Sequence, residues 1–329
     1  MAVEQVSIRS YLLRRGFEAI PVVLAVIVIN FTLVHLAPGD PVSIMVGQAG
    51  GVDPHYVEMM RTRFGLDKPL YEQLIIYLVR TLQGDLGYSF YYQRPVLNLI
   101  LERIPTTLLL MLTQFIIASV LGVVLGVEAS RKPYSKLDNA TTTVALLGYS
   151  LPVFWVGQLL VLVFSIWLGF FPVQGMLSIQ EDYRGVDYVV DILRHLTLPA
   201  VAMGLYNIAL VFRLSKTSML EVLWQDYITT ARAKGIREKR VIYRHALRNA
   251  LVPVVTVLGM NLGFILTGAV MTETVFAWPG LGRMMFDAIY ARDYPVLMGM
   301  LIMVSVMVVV ANLLTDLAYG YLDPRVRHR

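Results

Sequence analysis

Six stretches of this chain run for about a membrane's thickness without a charged side chain: Ala19–Ala37, Ile104–Val127, Asn139–Gln180, Leu196–Phe212, Asn249–Thr272 and Tyr294–Thr315. A helix crossing a bilayer needs about 20 largely apolar residues, so the pattern predicts an all-α integral membrane protein with six transmembrane helices. The third run is about twice the length that one span needs. Its Gly169–Gly175 stretch, GFFPVQG, punctuates it, which predicts one long helix ending near Leu168, kinked at Pro152, and then an exposed loop. The first run is too long for the apolar part of a cleaved leader. It passes into His35-Leu36-Ala37-Pro38-Gly39-Asp40 without a small-x-small site, so it reads as an anchor.

The polar intervals orient the spans. Arg9, Arg14 and Arg15 precede the first run, Arg131, Lys132 and Lys136 follow the second, and Arg325, Arg327, His328 and Arg329 close the chain. The interval 213–248 holds nine Lys and Arg against three acids. The alternate intervals are balanced or acidic, as where Glu181, Asp182, Asp187 and Asp191 face Arg184 and Arg194. Every basic interval falls on one side, which the positive-inside rule makes cytoplasmic, with both termini there.

Two polar regions stand out. Residues 38–103 face outward, where Asp53-Pro54 and Asp67-x-Pro69 read as helix starts and Gly65 and Gly84 as stops. Helices over about 54–64 and 69–83 follow from these signals. They serve either as a plug over the pore mouth or as a docking surface for an extracytoplasmic partner, with Arg61, Arg63 and Lys68 as its contacts. The chain thus divides into 1–103, an anchor helix plus an extracytoplasmic helical region, and 104–329, a five-helix transmembrane core.

The other region is cytoplasmic. Asp226–Pro253 carries seven cationic side chains and two acids. Gly235 divides a helix over 221–234 from one over 237–249. In the second, Arg237, Arg240, Arg244 and Arg248 recur at helical spacing, with Ile242 and Ala246 on another face. A basic helix could lie on anionic headgroups, but such helices carry a broad apolar face with bulky anchors, and this segment is short of them. A protein partner explains it better.

Composition narrows the chemistry. Of 329 residues 57% are hydrophobic and 16% charged, there is no cysteine, and the net charge of +5 reports topology rather than nucleic acid. The sequence has no GxxxxGK[ST] to cradle phosphates, no HExxH and no GxSxG, and its five histidines are scattered. It therefore reads as a non-enzyme with no metal site. His35, near a helix end, reads as an interfacial hydrogen-bonding residue. Ionisable groups, the mark of proton-coupled carriers, are nearly absent from the span centres, which carry amides instead: Asn30, Gln114, Gln158, Asn207, Asn261 and Asn312. Such amides act more often as interhelical bonds than as pore lining; Gln114, Gln158, Asn207 and Asn261 are the candidates for the pathway. The pairs Gly122/Gly126 and Gly259/Gly263 predict close helix contacts.

A channel-like chain with no energy source and a basic cytoplasmic helix–turn–helix suggests a subunit driven from outside. Thr229-Thr230-Ala231-x-x-x-Gly235 resembles the EAA-x-x-x-G loop of permeases from binding-protein-dependent ABC importers. Its flanks DYITTARAKG and RHALRNALVPVVTVLG are similar to the dipeptide, oligopeptide and nickel branch. So are LAPGDP (36–41), FGLDKPLYEQ (64–73), GDLGYS (84–89), SLPVFWVG (150–157), ETVFAWPGLG (273–282), RDYP (292–295) and LDPR (322–325), across nearly the whole chain. The long first outer region resembles the "B" permease of the pair. Thr229 stands where the general motif has an acid, and proline comes only at 253; both are usual in this branch, but no acidic docking contact carries over to Thr229.

The resemblance implies a type I importer fold, with two permeases forming the pathway, two cytoplasmic ATPases that bind ATP and magnesium, and an extracytoplasmic binding protein. This chain itself would hold no cofactor and would sit in the bacterial inner membrane. The coupling helix would comprise Thr229, Thr230, Ala231, Arg232, Ala233, Lys234, Gly235 and Ile236. The rivals are a secondary carrier, whose inverted repeats are not seen, and a membrane enzyme, which lacks a reactive constellation. Peptides, nickel chelates, glutathione and sugars all stay open as solutes. Because the chain is free of cysteine, its orientation can be tested directly. Glu72→Cys and Asp187→Cys should react with an impermeant thiol reagent from outside, and Lys136→Cys and Glu238→Cys from the cytoplasm. Labelling at 187 from the cytoplasm alone would overturn the assignment.

Overall fold

The apolar runs fold as helices that use one another, rather than water, to satisfy their surfaces. The computed structural model describes residues 8–36, 58, 62, 67–89, 91–179, 181, 183–262 and 269–322. In order these form α1 (Ile8–Leu36), α2 (Leu70–Leu82), β1 (Tyr88–Ser89), β2 (Arg94–Pro95), α3 (Val96–Arg131), α4 (Lys136–Ser150) and α5 (Val153–Leu160). There follow α6 (Val186–Leu223), α7 (Asp226–Ala233), α8 (Glu238–Arg240), α9 (Leu247–Leu262), α10 (Val270–Val275), α11 (Leu281–Ala291) and α12 (Tyr294–Leu322). Between Leu160 and Leu168, and between Arg240 and Leu247, the helices widen into π-helical turns, Val161–Trp167 and Val241–Ala246. The short antiparallel ladder of β1 on β2, Tyr88 opposite Pro95, is the one departure from helix among the described elements.

α3, α6 and α12 are long and apolar enough to cross a bilayer, and the bent pair α4–α5 makes a fourth candidate. The expected single helix kinked at Pro152 is corrected. The chain turns through 107° between α4 and α5. Leu151, which precedes the proline, is extended at φ −86° and ψ 138°, the region toward which a following pyrrolidine ring biases its predecessor. The helical stretch does end at Leu168. α2 matches the helix expected over 69–83, closed by Gly84 at φ +84°. The helix expected over 54–64 lies outside the described residues apart from Glu58 and Thr62.

The contacts divide into two compact units, 106–283 and 1–105 with 284–329. In the first, α6 is the axis along which α4, α5 and α9 pack. α3 comes close enough to α6 that a Cβ on Gly122 would sit 2.6 Å from that of Val211, and one on Gly126 would sit 2.8 Å from the Phe212 carbonyl oxygen. Gly263 falls outside the described residues. At the start of α4, Asp138 accepts from Lys216 of α6 and, at 2.9 Å, from the Tyr134 amide. Elsewhere the buried Glu273 carboxylate accepts from Thr107 Oγ1 at 3.0 Å and from the Arg283 amide at 3.0 Å. It lies where a Cβ on Gly280 would stand, at 2.3 Å. Trp278 is fully buried beside it and donates from Nε1 to the Thr106 carbonyl at 2.9 Å.

In the second unit α12 packs along α1 and α2 against α1. His35 joins them, with Nδ1 at 2.8 Å from the Phe31 carbonyl and Nε2 at 3.1 Å from Gln73 Oε1. The Ser89 hydroxyl of β1 donates to Asp293, just ahead of α12. Close approach at Gly126 against main chain leaves nowhere for a side chain to go. Gly126→Val should therefore destabilise the detergent-purified protein by about 1–3 kcal/mol of overpacking, seen as a lower melting midpoint. Gly204→Ala, where an added Cβ meets nothing within 4 Å, should leave it unchanged.

Candidate functional site

The basic segment starts where α6 leaves its apolar run. Gln225, extended at φ −80° and ψ 149°, turns the chain into α7, and Asp226 places an acid in its first turn, where the helix dipole favours it. α7 is only eight residues long, too short to be stable alone. Its inner face supplies what is missing. Ile228 and Ala231 are buried together with Val127 of α3, Met219 and Val222 of α6, Val241, Ile242 and Ala246 of the following turn, and Ala250 of α9. Ile236 packs against the same cluster.

The turn closes as the glycine requires. Gly235 is left-handed at φ +73°. Its amide donates to the Arg232 carbonyl at 2.9 Å, and the Ile236 amide donates to the Ala231 carbonyl at 3.4 Å. That pair of bonds, with an apolar residue just past the glycine, is a Schellman closure. An added Cβ would meet nothing within 4 Å, so glycine is needed here for the backbone angle and not for space.

Of the expected coupling residues, Thr229, Thr230, Arg232, Ala233, Lys234 and Gly235 are exposed, Ile236 is half-buried and Ala231 is buried. Arg237, Arg240, Arg244 and Arg248 are all exposed, on the side away from the cluster. Charges also brace the turn from outside. Arg232 donates from Nη2 to Glu238 Oε1 at 2.8 Å and from Nε to Oε2 at 3.3 Å. These bonds hold the Glu238 carboxyl below its ordinary range. Tyr243 donates to Glu128 at the end of α3, which pushes the phenol up. Arg131 reaches the same carboxylate at 2.6 Å, and Asn249 donates to the Tyr227 hydroxyl at 2.7 Å.

The pathway candidates divide. Asn207 of α6 donates to Gln114 Oε1 of α3 at 2.9 Å, so these two bind helix to helix. Gln158 is exposed on α5, and Asn261 is half-buried on α9; neither joins that pair. Lys68 is exposed just ahead of α2, while Arg61 and Arg63 fall outside the described residues. Among the described residues no three His, Asp or Glu converge as metal ligands do. Sequence reasoning passed over Ile228 and Val241, which anchor the segment, and the Arg232–Glu238 brace across the turn. The three-residue spacing of Ile228 and Ala231 was the available signal for the first.

The chain matches the model of the binding-protein-dependent transport system inner membrane component over residues 118–328, and that family's N-terminal model over residues 8–111. It is 41% identical over 97% of its length, and 99% of the relative's, to the di/tripeptide transport system permease protein DppB of Pseudomonas aeruginosa. The dipeptide transport system permease protein DppB of Escherichia coli is 40% identical, and the oligopeptide transport system permease protein AppB of Bacillus subtilis 39%, each over the same shares. A solved amino acid ABC transporter superposes with a TM-score of 0.49 at 13% identity, over 67% of this chain and 92% of that one.

Apolar burial should outweigh the exposed brace in holding the segment. Burying a Val or Ile contributes about 1.5–3 kcal/mol, whereas a pair exposed at 44% and 55% contributes about 0–1 kcal/mol. Ile228→Ala should therefore speed amide hydrogen exchange across 226–250 by at least tenfold, and Glu238→Gln by less than about fivefold. Equal effects would show that the ion pair dominates.

Proposed function

Because this chain belongs to the binding-protein-dependent transport system inner membrane component family, we propose that it forms half of the passage of a peptide importer and couples that passage to a cytoplasmic ATPase. It is a multi-pass inner-membrane permease subunit and not an enzyme. Identity near 40% over almost the full length of di/tripeptide, dipeptide and oligopeptide permeases is the observation that carries the reading, and it favours small peptides over the other solutes. A carrier working without an ATPase is not favoured by that membership.

The orientation proposed is six spans with both termini cytoplasmic. Its partners are a second, related permease, two ATP-binding subunits that hold the ATP and magnesium, and a binding protein that docks on the outer region through Arg61, Arg63 and Lys68. Residues 229–236 would seat in a cleft of one ATPase. The two faces of the segment suit such coupling, since the polar face is free for a partner while the apolar face grips α3, α6 and α9. A push on α7 would reach the spans through packed side chains. Exposed arginines add steering and grip.

Reconstitution tests this. The chain alone in proteoliposomes should neither hydrolyse ATP nor take up dipeptide; both should need the second permease, the ATPases and the binding protein. Uptake by this chain alone on an ion gradient would sink the proposal. Within the complex, Gly235→Val should insert and assemble, because a left-handed β-branched residue costs only about 1–2 kcal/mol, yet lose most dipeptide-stimulated hydrolysis. Gly235→Asn, which tolerates that angle, should keep it.

A further inference from the structure

The break between α4 and α5 stands level with the middle of the uncharged stretch of α6. An added Cβ on Gly148 would be 3.3 Å from the Leu205 carbonyl oxygen, and the Tyr149 ring stacks on Tyr206 with centroids 5.0 Å apart and 14° between planes. Leu205 and Tyr206 stand at the middle of the uncharged stretch of α6 that Arg194 and Arg213 bound. At 1.5 Å per residue that stretch spans about 28 Å, close to the hydrocarbon thickness of about 30 Å.

At that depth the chain leaves backbone groups unpaired. The carbonyls of Gly148, Tyr149 and Ser150 and the amides of Val153, Phe154 and Trp155 make no backbone hydrogen bond among the described residues. Pro152 has no N–H for the first carbonyl, and the extended Leu151 throws the other groups out of helical register. The side chains around them are exposed: Tyr149 at 46%, Phe154 at 43% and Trp155 at 43%, with Ser150, Leu151 and Pro152 exposed as well. Lipid tails offer no hydrogen bond, so irregular backbone at membrane depth persists only where it meets water or another chain. The stacked rings of Tyr149 and Tyr206 adjoin the break, and the Ser150 hydroxyl, which donates to the Leu146 carbonyl at 2.8 Å, can still accept from water.

We propose that this break, flanked by Tyr149 and Tyr206, lines the aqueous passage and touches the solute at mid-membrane. Broken spans at that depth are where transporters commonly hold their cargo. The unpaired carbonyls and amides match the donors and acceptors of a peptide group, and the paired tyrosine rings offer a flat apolar face with hydroxyls at its edge. Gln158, one turn on from Phe154 and also exposed, extends the same face. The assignment rests on the importer reading above and names the part of the passage that a small peptide meets.

The test uses the assembled complex with its binding protein, following modification on this chain. Ser150→Cys and Leu151→Cys should both react with a cationic, water-soluble methanethiosulfonate reagent and lose dipeptide uptake on modification. Excess dipeptide should slow the reaction several-fold at both positions and not at Lys136→Cys. Tyr206→Ala should raise the KM for dipeptide about tenfold, the scale of one aromatic contact, and Tyr206→Phe should recover most of it. If Lys136→Cys reacts while Ser150→Cys and Leu151→Cys stay inert, another chain covers the break and the proposal falls. Reaction that dipeptide does not slow would overturn the solute contact. Absence of uptake by the unmodified complex would instead sink the importer reading, and the labelling pattern would still decide whether water reaches the break.

Discussion

A helix of two turns, polar on its outer face, cannot hold its shape in water unless something packs beneath it. Here that is the cluster of Ile228, Ala231, Val241, Ile242 and Ala246 on Val127, Met219, Val222 and Ala250. The cluster ties a solvated segment to the ends of α3, α6 and α9. Without it α7 would be a mobile loop, and force applied there would be lost in bending. With it, the segment and three helices move together, because packed interiors transmit displacement rather than absorb it.

The same economy runs through 106–283. α6 serves as a common axis because glycines at 122 and 126 let α3 approach its backbone, while Asp138 and Lys216 tie α4 to it near the basic end. Some buried polar groups pair across helices, as Gln114 with Asn207, and others cap a turn, as Glu273 does for the residues that open α11, while the buried hydroxyls of Ser119 and Ser215 find no partner among the described residues. At the α4–α5 junction the backbone itself is affected: six of its groups make no backbone hydrogen bond among the described residues, and the side chains around them are exposed. An unpaired backbone in a bilayer is costly, so its survival there points to use rather than to accident.

The outward and inward faces of the basic segment divide the labour. Thr229, Thr230, Arg232, Lys234 and the arginines at 237, 240, 244 and 248 face away from the protein's own interior, and the Gly235 turn sets the angle between the two short helices that carry them. The segment is sterically defined at its turn and charged on its outer face. Nothing in it needs to react.

Much of this was legible along the chain. Apolar run length and one-sided Lys and Arg are local properties, so helix positions and the candidate orientation could be read directly. The left-handed turn was legible because glycine stood after a run of helix formers, where the helix had to close. The motif residues 229–236 could likewise be placed on a polar segment beside that turn without coordinates. Pro152 announced a disturbance, but its size did not follow from sequence: a proline bends or breaks a helix according to what packs on either side, and here α4 and α5 each settle on α6. The amides were equally undecided. Gln114 and Asn207 are 93 residues apart, and only the approach of α3 to α6 makes them hydrogen-bond partners. Ile228 and Val241 looked like minor apolar residues in a polar segment until the tertiary fold placed Met219 and Val127 beneath them. Run length and charge act through the solvent around each stretch and so are written in its own composition. Partnership depends on which distant surface arrives, and that is settled only when the helices pack.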